Sequence, residues 1–246
     1  MILPTLSKNL RVIIIGASGG IGNAFLDALN ESSQVSKIYA LSRQNKAYPS
    51  AKIANLSFDL TSEESLKAVS ESLRKLDPFD LIIVATGLLQ GDGVAPEKSI
   101  RDLTYKGLEK SFLVNTIGPA MTARYFLPLL RRDKKSVFTA LSARVGSISD
   151  NRIGGWYGYR ASKAALNMIL KTLSIEFGRR HKQAVILGLH PGTVDTTLSE
   201  PFQGNVPDGK LFTPEYSVEK LLAVIDKVDA NDSGKLIDWA GKEIAF

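Results

Sequence analysis

Arg11-Val12-Ile13-Ile14-Ile15-Gly16-Ala17-Ser18-Gly19-Gly20-Ile21-Gly22 is the stretch on which the fold turns. Four β-branched residues follow Arg11 without a polar interruption and read as a buried strand, because branched side chains pack well on a pleated surface. The glycines after them let the chain turn tightly and bring backbone close to a ligand. From about Ile21 the pattern becomes helical and continues to Asn30. A strand, a glycine turn and a helix N-terminus in this order form an anion site, where unpaired N–H groups and the positive end of the helix dipole converge. The same order opens a βαβ unit.

Outward from that stretch the alternation continues. Lys37 to Leu41, Ile53 to Phe58, Leu81 to Ala85, Ser136 to Leu141 and Ala184 to Leu189 read as strands, with Leu236 to Trp239 as a short last one. Helical patterns run from Thr61 to about Leu76, from about Tyr105 to Leu130, from about Trp156 to Arg180, and onward from Thr213-Pro214. Thr61-Ser62-Glu63-Glu64 predicts a capping box in which Thr61 accepts from the backbone and Glu64 reaches back. Thr213-Pro214 predicts a cap followed by a first-turn proline. This alternation predicts an α/β fold: a single-domain, Rossmann-type, doubly wound sheet of about seven mostly parallel strands with helices on both faces. No linker rich in Pro, Gly or Ser divides the 246 residues, so 1–246 reads as one nucleotide-binding domain. The least regular segment, about 193–212, reads as a substrate loop.

Composition narrows the function. The apolar fraction of 44% and charged fraction of 23% are those of a soluble globular protein. The absence of cysteine removes disulfides, thiolate metal sites and cysteine nucleophiles. Two separated histidines offer no familiar zinc spacing, so no metal is expected. No apolar run approaches the roughly 20 residues needed to cross a bilayer. Met1 to Asn9 lacks a signal-peptide layout, so a cytoplasmic protein without membrane partners is expected. The net charge is +6 and the pI about 9.4. The basic residues are dispersed, apart from the loop Arg131-Arg132-Asp133-Lys134-Lys135, and no nucleic-acid motif accompanies them; an anionic ligand suits the charge better than nucleic acid.

The candidate chemistry centres on Tyr159 and Lys163, four residues apart and therefore on one helix face. A free phenol titrates near pH ~10; an adjacent ammonium is expected to lower that value and make a usable acid–base group. Tyr157 has Ala161 one turn on, so Tyr159 is the candidate. A second reading attaches to the glycine turn. Gly16, Ser18 and Gly20 satisfy the Gly-x-Ser-x-Gly nucleophile elbow of a serine hydrolase, with Asp150, His181 and His190 downstream. An elbow normally follows several strands, whereas one precedes it here, and His181 is expected to be solvated at its helix end among Arg179, Arg180 and Lys182. After the second strand comes Leu41-Ser42-Arg43-Gln44 with no acid. A dinucleotide fold that selects NAD places an acid there, whereas an arginine accommodates the 2′-phosphate of NADP. Ser42 and Arg43 therefore point to NADP(H), with NAD(H) as the weaker alternative.

With these residues in hand, the chain resembles the short-chain dehydrogenase/reductase family over nearly its whole length. Gly16, Gly20 and Gly22 match the family's Gly-x3-Gly-x-Gly turn, in which Ser18 and Ile21 also lie. Asp59-Leu60 resembles the element that meets the adenine ring. Asn115 resembles the helix asparagine of the catalytic tetrad, and Tyr159 with Lys163 the Tyr-x3-Lys motif. Pro191-Gly192-Thr193-Val194-Asp195-Thr196 resembles the segment beside the nicotinamide. Leu141 to Met168 is similar to the C-factor-like carbonyl reductases. Two departures stand out. Ala85-Thr86-Gly87 replaces the family's Asn-Ala-Gly. Ser142-Ala143-Arg144-Val145-Gly146-Ser147 replaces Ser-Ser-x-x-Gly, whose second serine is catalytic. Alignment on Gly146 puts Ala143 in that place; the spacing of 27 from Asn115 favours Ser142; Ser147 is a third candidate. Ser142 is the choice.

The resemblance implies hydride transfer between nicotinamide and a carbonyl or alcohol substrate. Tyr159 would be general acid, Lys163 would depress its pKa and hold the ribose, the serine would bind the substrate oxygen, and Asn115 would anchor a water. It also implies a homodimer or homotetramer through the long helices. Leu88, Leu89, Val94, Trp156, Leu198, Phe202 and Phe212 are candidate lining of an apolar pocket, and a neutral ketone or aldehyde is the expected substrate. A nucleotide-binding sensor or scaffold without turnover is the alternative from another class.

Overall fold

The strand predicted first lies at the centre of an eight-stranded sheet in a computed structural model, which describes residues 1–44, 46–91 and 93–246. The strands are β1 (Leu10–Ile15), β2 (Val35–Ser42), β3 (Ile53–Ser57), β4 (Leu81–Val84), β5 (Ser136–Leu141), β6 (Ala184–His190), β7 (Thr193–Val194), β8 (Leu211–Phe212), β9 (Leu236–Asp238) and β10 (Glu243–Ile244). The helices are α1 (Gly20–Glu31), α2 (Glu63–Leu73), α3 (Tyr105–Phe112), α4 (Gly118–Phe126), α5 (Tyr157–Gly178) and α6 (Pro214–Lys227). The main sheet runs β10-β9-β6-β5-β4-β1-β2-β3 and is parallel except for the β10 edge. β7 and β8 pair separately inside the 193–212 segment.

Alternation along β1 decides the layers. Val12 and Ile14 face α1 and α6, packing with Phe25, Leu26, Leu29, Leu221 and Ile225. Ile13 and Ile15 face the other way, toward Phe126, Phe138, Leu166 and Leu170. A strand covered on both faces must be apolar throughout, as the opening stretch is. Each such side chain contributes about 1.5–3 kcal/mol on burial. The chain leaves β1 toward β2 and β3, then returns to the other side of β1 as β4. That reversal opens a crevice at the strand C-terminal ends.

Four details differ from the sequence reading. The sheet has eight strands rather than about seven, because β10 is too short to carry a period. Helix α2 is capped by Ser62, whose hydroxyl accepts from Ser65 N; Thr61 instead donates its N–H and hydroxyl to Asp59. Helix α5 begins at Tyr157, with Trp156 as its left-handed N-cap at φ 51°. The long helix from Tyr105 is interrupted by a widened turn, Leu113–Ile117, in which Gly118 N donates to Leu113 O. Pro119 has no N–H for the Asn115 carbonyl four residues back, and its ring presses on that carbonyl, so the helix opens there.

Candidate active site

Two adjoining hollows fill the crevice. One, of about 260 Å³, lies on the β1–β2–β3 side and is lined by Gly16, Ser18, Ser42, Arg43, Asp59, Leu60, Ala85, Thr86, Gly87 and Lys110. The other, of about 520 Å³, shares Ser18, Ala85, Thr86 and Gly87 and adds Gly20, Ile21, Ser142, Tyr159, Lys163, Pro191, Gly192, Val194 and Thr196. Gly22 and Asn115 stand behind these walls. A Cβ on Gly22 would collide with Gly16 O, so the turn closes only with glycine there. Gly16 has φ +84°, which glycine alone adopts readily. Helix α1 has no side-chain cap and no acid in its first turn, leaving its N–H groups for a phosphate. The Thr86 hydroxyl is buried at the same place without a hydrogen-bond partner among the described residues. These residues fit a dinucleotide. Beside Arg43, Asp59 is held below the usual carboxylate range by N–H and hydroxyl bonds from Thr61, and less by the charges of Arg43 and Lys110. Lys110 was not signalled by the sequence, since it reaches the crevice only through the packing of α3.

Tyr159 and Lys163 meet in the larger hollow, with Lys163 Nζ 5.8 Å from the tyrosine ring centre and donating to Leu141 O at 2.7 Å. Asn115 is fully buried. Its Oδ1 accepts from Leu88 N, and its Nδ2 donates to Leu88 O and Ser162 Oγ. The widened turn thus ties the loop after β4 to α5. The expected electrostatics of the pair are corrected: in this pocket burial sets the direction, and the tyrosine pKa is raised rather than lowered. Burial pushes Tyr159 up to about 12 and Lys163 down to about 8. Desolvation penalises both charged forms, and among the described residues no carboxylate offsets it. The phenol is therefore fully protonated at neutral pH, the form a proton donor needs.

The sequence profile of the short chain dehydrogenase family matches residues 10–206. The chain belongs to the short-chain dehydrogenases. It is 34% identical over 148 residues to C-signal of Myxococcus xanthus, covering 60% of this chain and 84% of that one. It is 29% identical over 225 residues to 1-hydroxy-2-glutathionyl-2-methyl-3-butene dehydrogenase of Rhodococcus sp. strain AD45, covering 91% and 94%. Among solved structures, NADPH-bound carbonyl reductase from chicken fatty liver superimposes with a TM-score of 0.84 at 26% identity, covering 97% of this chain and all of that one.

In this short-chain dehydrogenase the three serine-register candidates separate. Ser142 lines the hollow, yet its hydroxyl donates to Asn167 Oδ1 at 2.6 Å. Ala143 lines the same wall. Ser147 points elsewhere, its hydroxyl on Ala245 O. For the hydrolase reading, Asp150 pairs with Arg144 at 3.2 Å. His181 is buried rather than solvated, stacked on Phe177 at 3.9 Å, with its pKa lowered by desolvation and by Arg132 and Arg180. No hydrogen bond among the described residues joins exposed Ser18 to a histidine or carboxylate. Of the apolar candidates, Leu89, Trp156, Leu198 and Phe202 line the larger hollow and Leu88 the smaller. Phe212 is packed behind against Trp239, and Val94 lines neither.

Besides Lys110, sequence reasoning missed Arg144 and Glu97. Arg144 lines the wall but is engaged by Asp150 and Asp238. His190, named from the sequence only for the hydrolase reading, lines the same wall directly before Pro191-Gly192. Glu97 is buried and both its carboxylate oxygens accept from Gly158 N at the start of α5; nothing local in the sequence marks it.

Proposed function

We propose that this chain is an NADPH-dependent carbonyl reductase in which Tyr159 is the proton donor. The carrying observation is a fully protonated, buried phenol beside Lys163 in a hollow that adjoins the glycine turn. Bound there, the nicotinamide would supply the hydride. The backbone of Gly16 to Gly22 holds phosphate, Ser42 and Arg43 take the 2′-phosphate side, and Asp59-Leu60 flank the adenine. Arg43 without an acid at the β2 end supports NADP over NAD. Ala85, Thr86, Gly87, Pro191, Gly192, Val194 and Thr196 position the nicotinamide end. Lys163 holds the ribose and keeps a cation below Tyr159; Asn115 fixes the loop against which both work. Ser142 completes the polar end of the hollow near the substrate oxygen, its hydroxyl steered by Asn167.

Trp156 packs edge-on to Phe202 at 5.0 Å and to Tyr159 at 6.2 Å. With Leu89 and Leu198 they make an apolar wall, which supports an uncharged ketone or aldehyde as substrate. The 193–212 segment carries Leu198 and Phe202 and serves as the substrate loop of a single catalytic domain. Exposed Tyr105, Ile117, Met168 and Ile175 on the long helices support a homodimer or homotetramer, and we take the protein to work in the cytoplasm. A second reading, nucleotide binding without turnover, draws support from Ala143 where the family carries serine.

The test is NADPH oxidation against a panel of uncharged aromatic aldehydes, ketones and diketones. Tyr159→Phe is expected to lower kcat/KM by about 10³-fold or more, near the upper range for general acid catalysis, with NADPH affinity unchanged. An unaffected rate overturns the mechanism; tight NADPH binding with no turnover of any compound favours the second reading.

A further inference from the structure

One polar side chain in the cleft wall has no task in the reading above. His190 ends β6, one strand over from Ser142, and Ser142 N donates to Leu189 O across that pair. The imidazole has no hydrogen bond from the described residues, and its Nδ1 is buried without a partner. Burial, helped by the Arg144 charge and opposed by Asp238, holds its pKa down to about 4. At neutral pH the ring is therefore uncharged, with one N–H to give and one lone pair to receive.

The neighbours supply the reason such a group is needed. Ala143 has no hydroxyl. The Ser142 proton lies on Asn167 Oδ1, and Asn167 Nδ2 is already buried without a partner. Turning that hydroxyl toward a substrate gives up a buried hydrogen bond, whereas turning the His190 N–H gives up nothing. A neutral imidazole can polarise a carbonyl while leaving the proton transfer to another group.

We propose that His190 donates an N–H to the substrate oxygen as negative charge develops on it, the duty a serine at position 143 would perform. The inference rests on the reductase reading. It makes His190 a catalytic residue and places the substrate carbonyl where its oxygen meets Tyr159 and His190 together.

The test uses NADPH and whichever panel compound the parent reduces best. His190→Phe and His190→Asn are compared, each alone and combined with Ala143→Ser, with melting temperature and NADPH affinity as controls. His190→Phe is expected to lower kcat/KM by about 100-fold, the scale of one lost oxyanion donor. His190→Asn, which keeps an N–H, is expected to lose about tenfold, and Ala143→Ser to recover about tenfold in the His190→Phe background. The proposal is overturned if His190→Phe stays near the parent, if the Phe and Asn variants lose equally, or if Ala143→Ser recovers nothing. Should His190→Phe fail to fold, His190→Asn with and without Ala143→Ser decides by the same recovery. Failure of the parent or indifference to Tyr159→Phe removes the reductase reading itself; a Tyr159-dependent parent that ignores His190 removes only this inference.

Discussion

The larger hollow has two unlike walls. One is helix α5, which brings Tyr159 and Lys163 from a single turn. The other is the row of strand ends at β5 and β6, which brings Ser142, Ala143 and His190 from two separate segments. On the helix wall covalent geometry fixes the partnership, since residues four apart share a face whatever the fold around them. On the strand wall a residue's role depends on what packs behind it: Asn167 engages one hydroxyl, Ala143 offers none, and His190 has no hydrogen-bond partner among the described residues. The difference teaches that spacing identifies chemistry within one element and loses that power across elements. It also ranks the walls: Tyr159→Phe is expected to lower kcat/KM by about 10³-fold, ahead of any single change on the strand wall.

Lys163 comes next on the helix wall. Burial lowers its pKa from the ordinary 10.5 to about 8. Below that pH Nζ is an ammonium; above it the cation beneath Tyr159 is lost. The parent kcat/KM should therefore fall above pH 8, by about tenfold per unit. Lys163→Met should sit about 10²-fold lower and show no break there. Stability runs the other way. The unfolded lysine holds its proton more tightly than the folded one, so the cost of burying the ammonium is present below pH 8 and relieved between pH 8 and 10.5. Melting curves should show that gain in the parent and not in the variant. A parent rate profile flat to pH 10 would mean the charge on Lys163 is not used.

The strand wall is expected to be more forgiving at Ser142. Because its proton is already shared with Asn167, Ser142→Ala should lower kcat/KM by about tenfold, less than a full oxyanion donor is worth. A loss larger than that of His190→Phe would reverse the assignment and make the serine hydroxyl the principal donor to the substrate oxygen. The two variants measured side by side therefore sharpen the comparison of walls more than either alone.

How far the sequence carried follows the same division. The buried strand, the glycine turn and the alternation of elements were readable because each rests on local sterics: β-branching, positive φ at Gly16, the period of two along β1. Ser62 displaced Thr61 as the cap of α2 because Asp59 accepts from both the N–H and the hydroxyl of Thr61. The pKa direction of Tyr159 was misread because the spacing shows the neighbour and not the depth of burial. Glu97 was invisible for the plainest reason: it acts 61 residues away from its partner Gly158.

That remote carboxylate gives the smallest expected effect and tests why the helix wall is rigid. Gly154, Gly155 and Trp156 all have positive φ, at 69°, 65° and 51°, before α5 begins. For a tryptophan this conformation costs about 1–2 kcal/mol, and something must hold it. Glu97 does so twice: its carbonyl accepts from Trp156 N at 2.6 Å, and its carboxylate accepts from Gly158 N. The carboxylate is the only part a substitution can remove, and it also faces the positive end of α5. Glu97→Ala should lower stability by about 1–2 kcal/mol, the usual cost of a lost cap. With the first turn of α5 loosened, Tyr159 is less well aligned, and kcat should fall by about threefold while KM for NADPH holds. Glu97→Gln keeps an oxygen acceptor and should restore most of both. Equal losses in stability with kcat untouched would mean that the cap holds the helix and leaves the tyrosine indifferent, so that the precision of this wall comes from Lys163 and Asn115 instead.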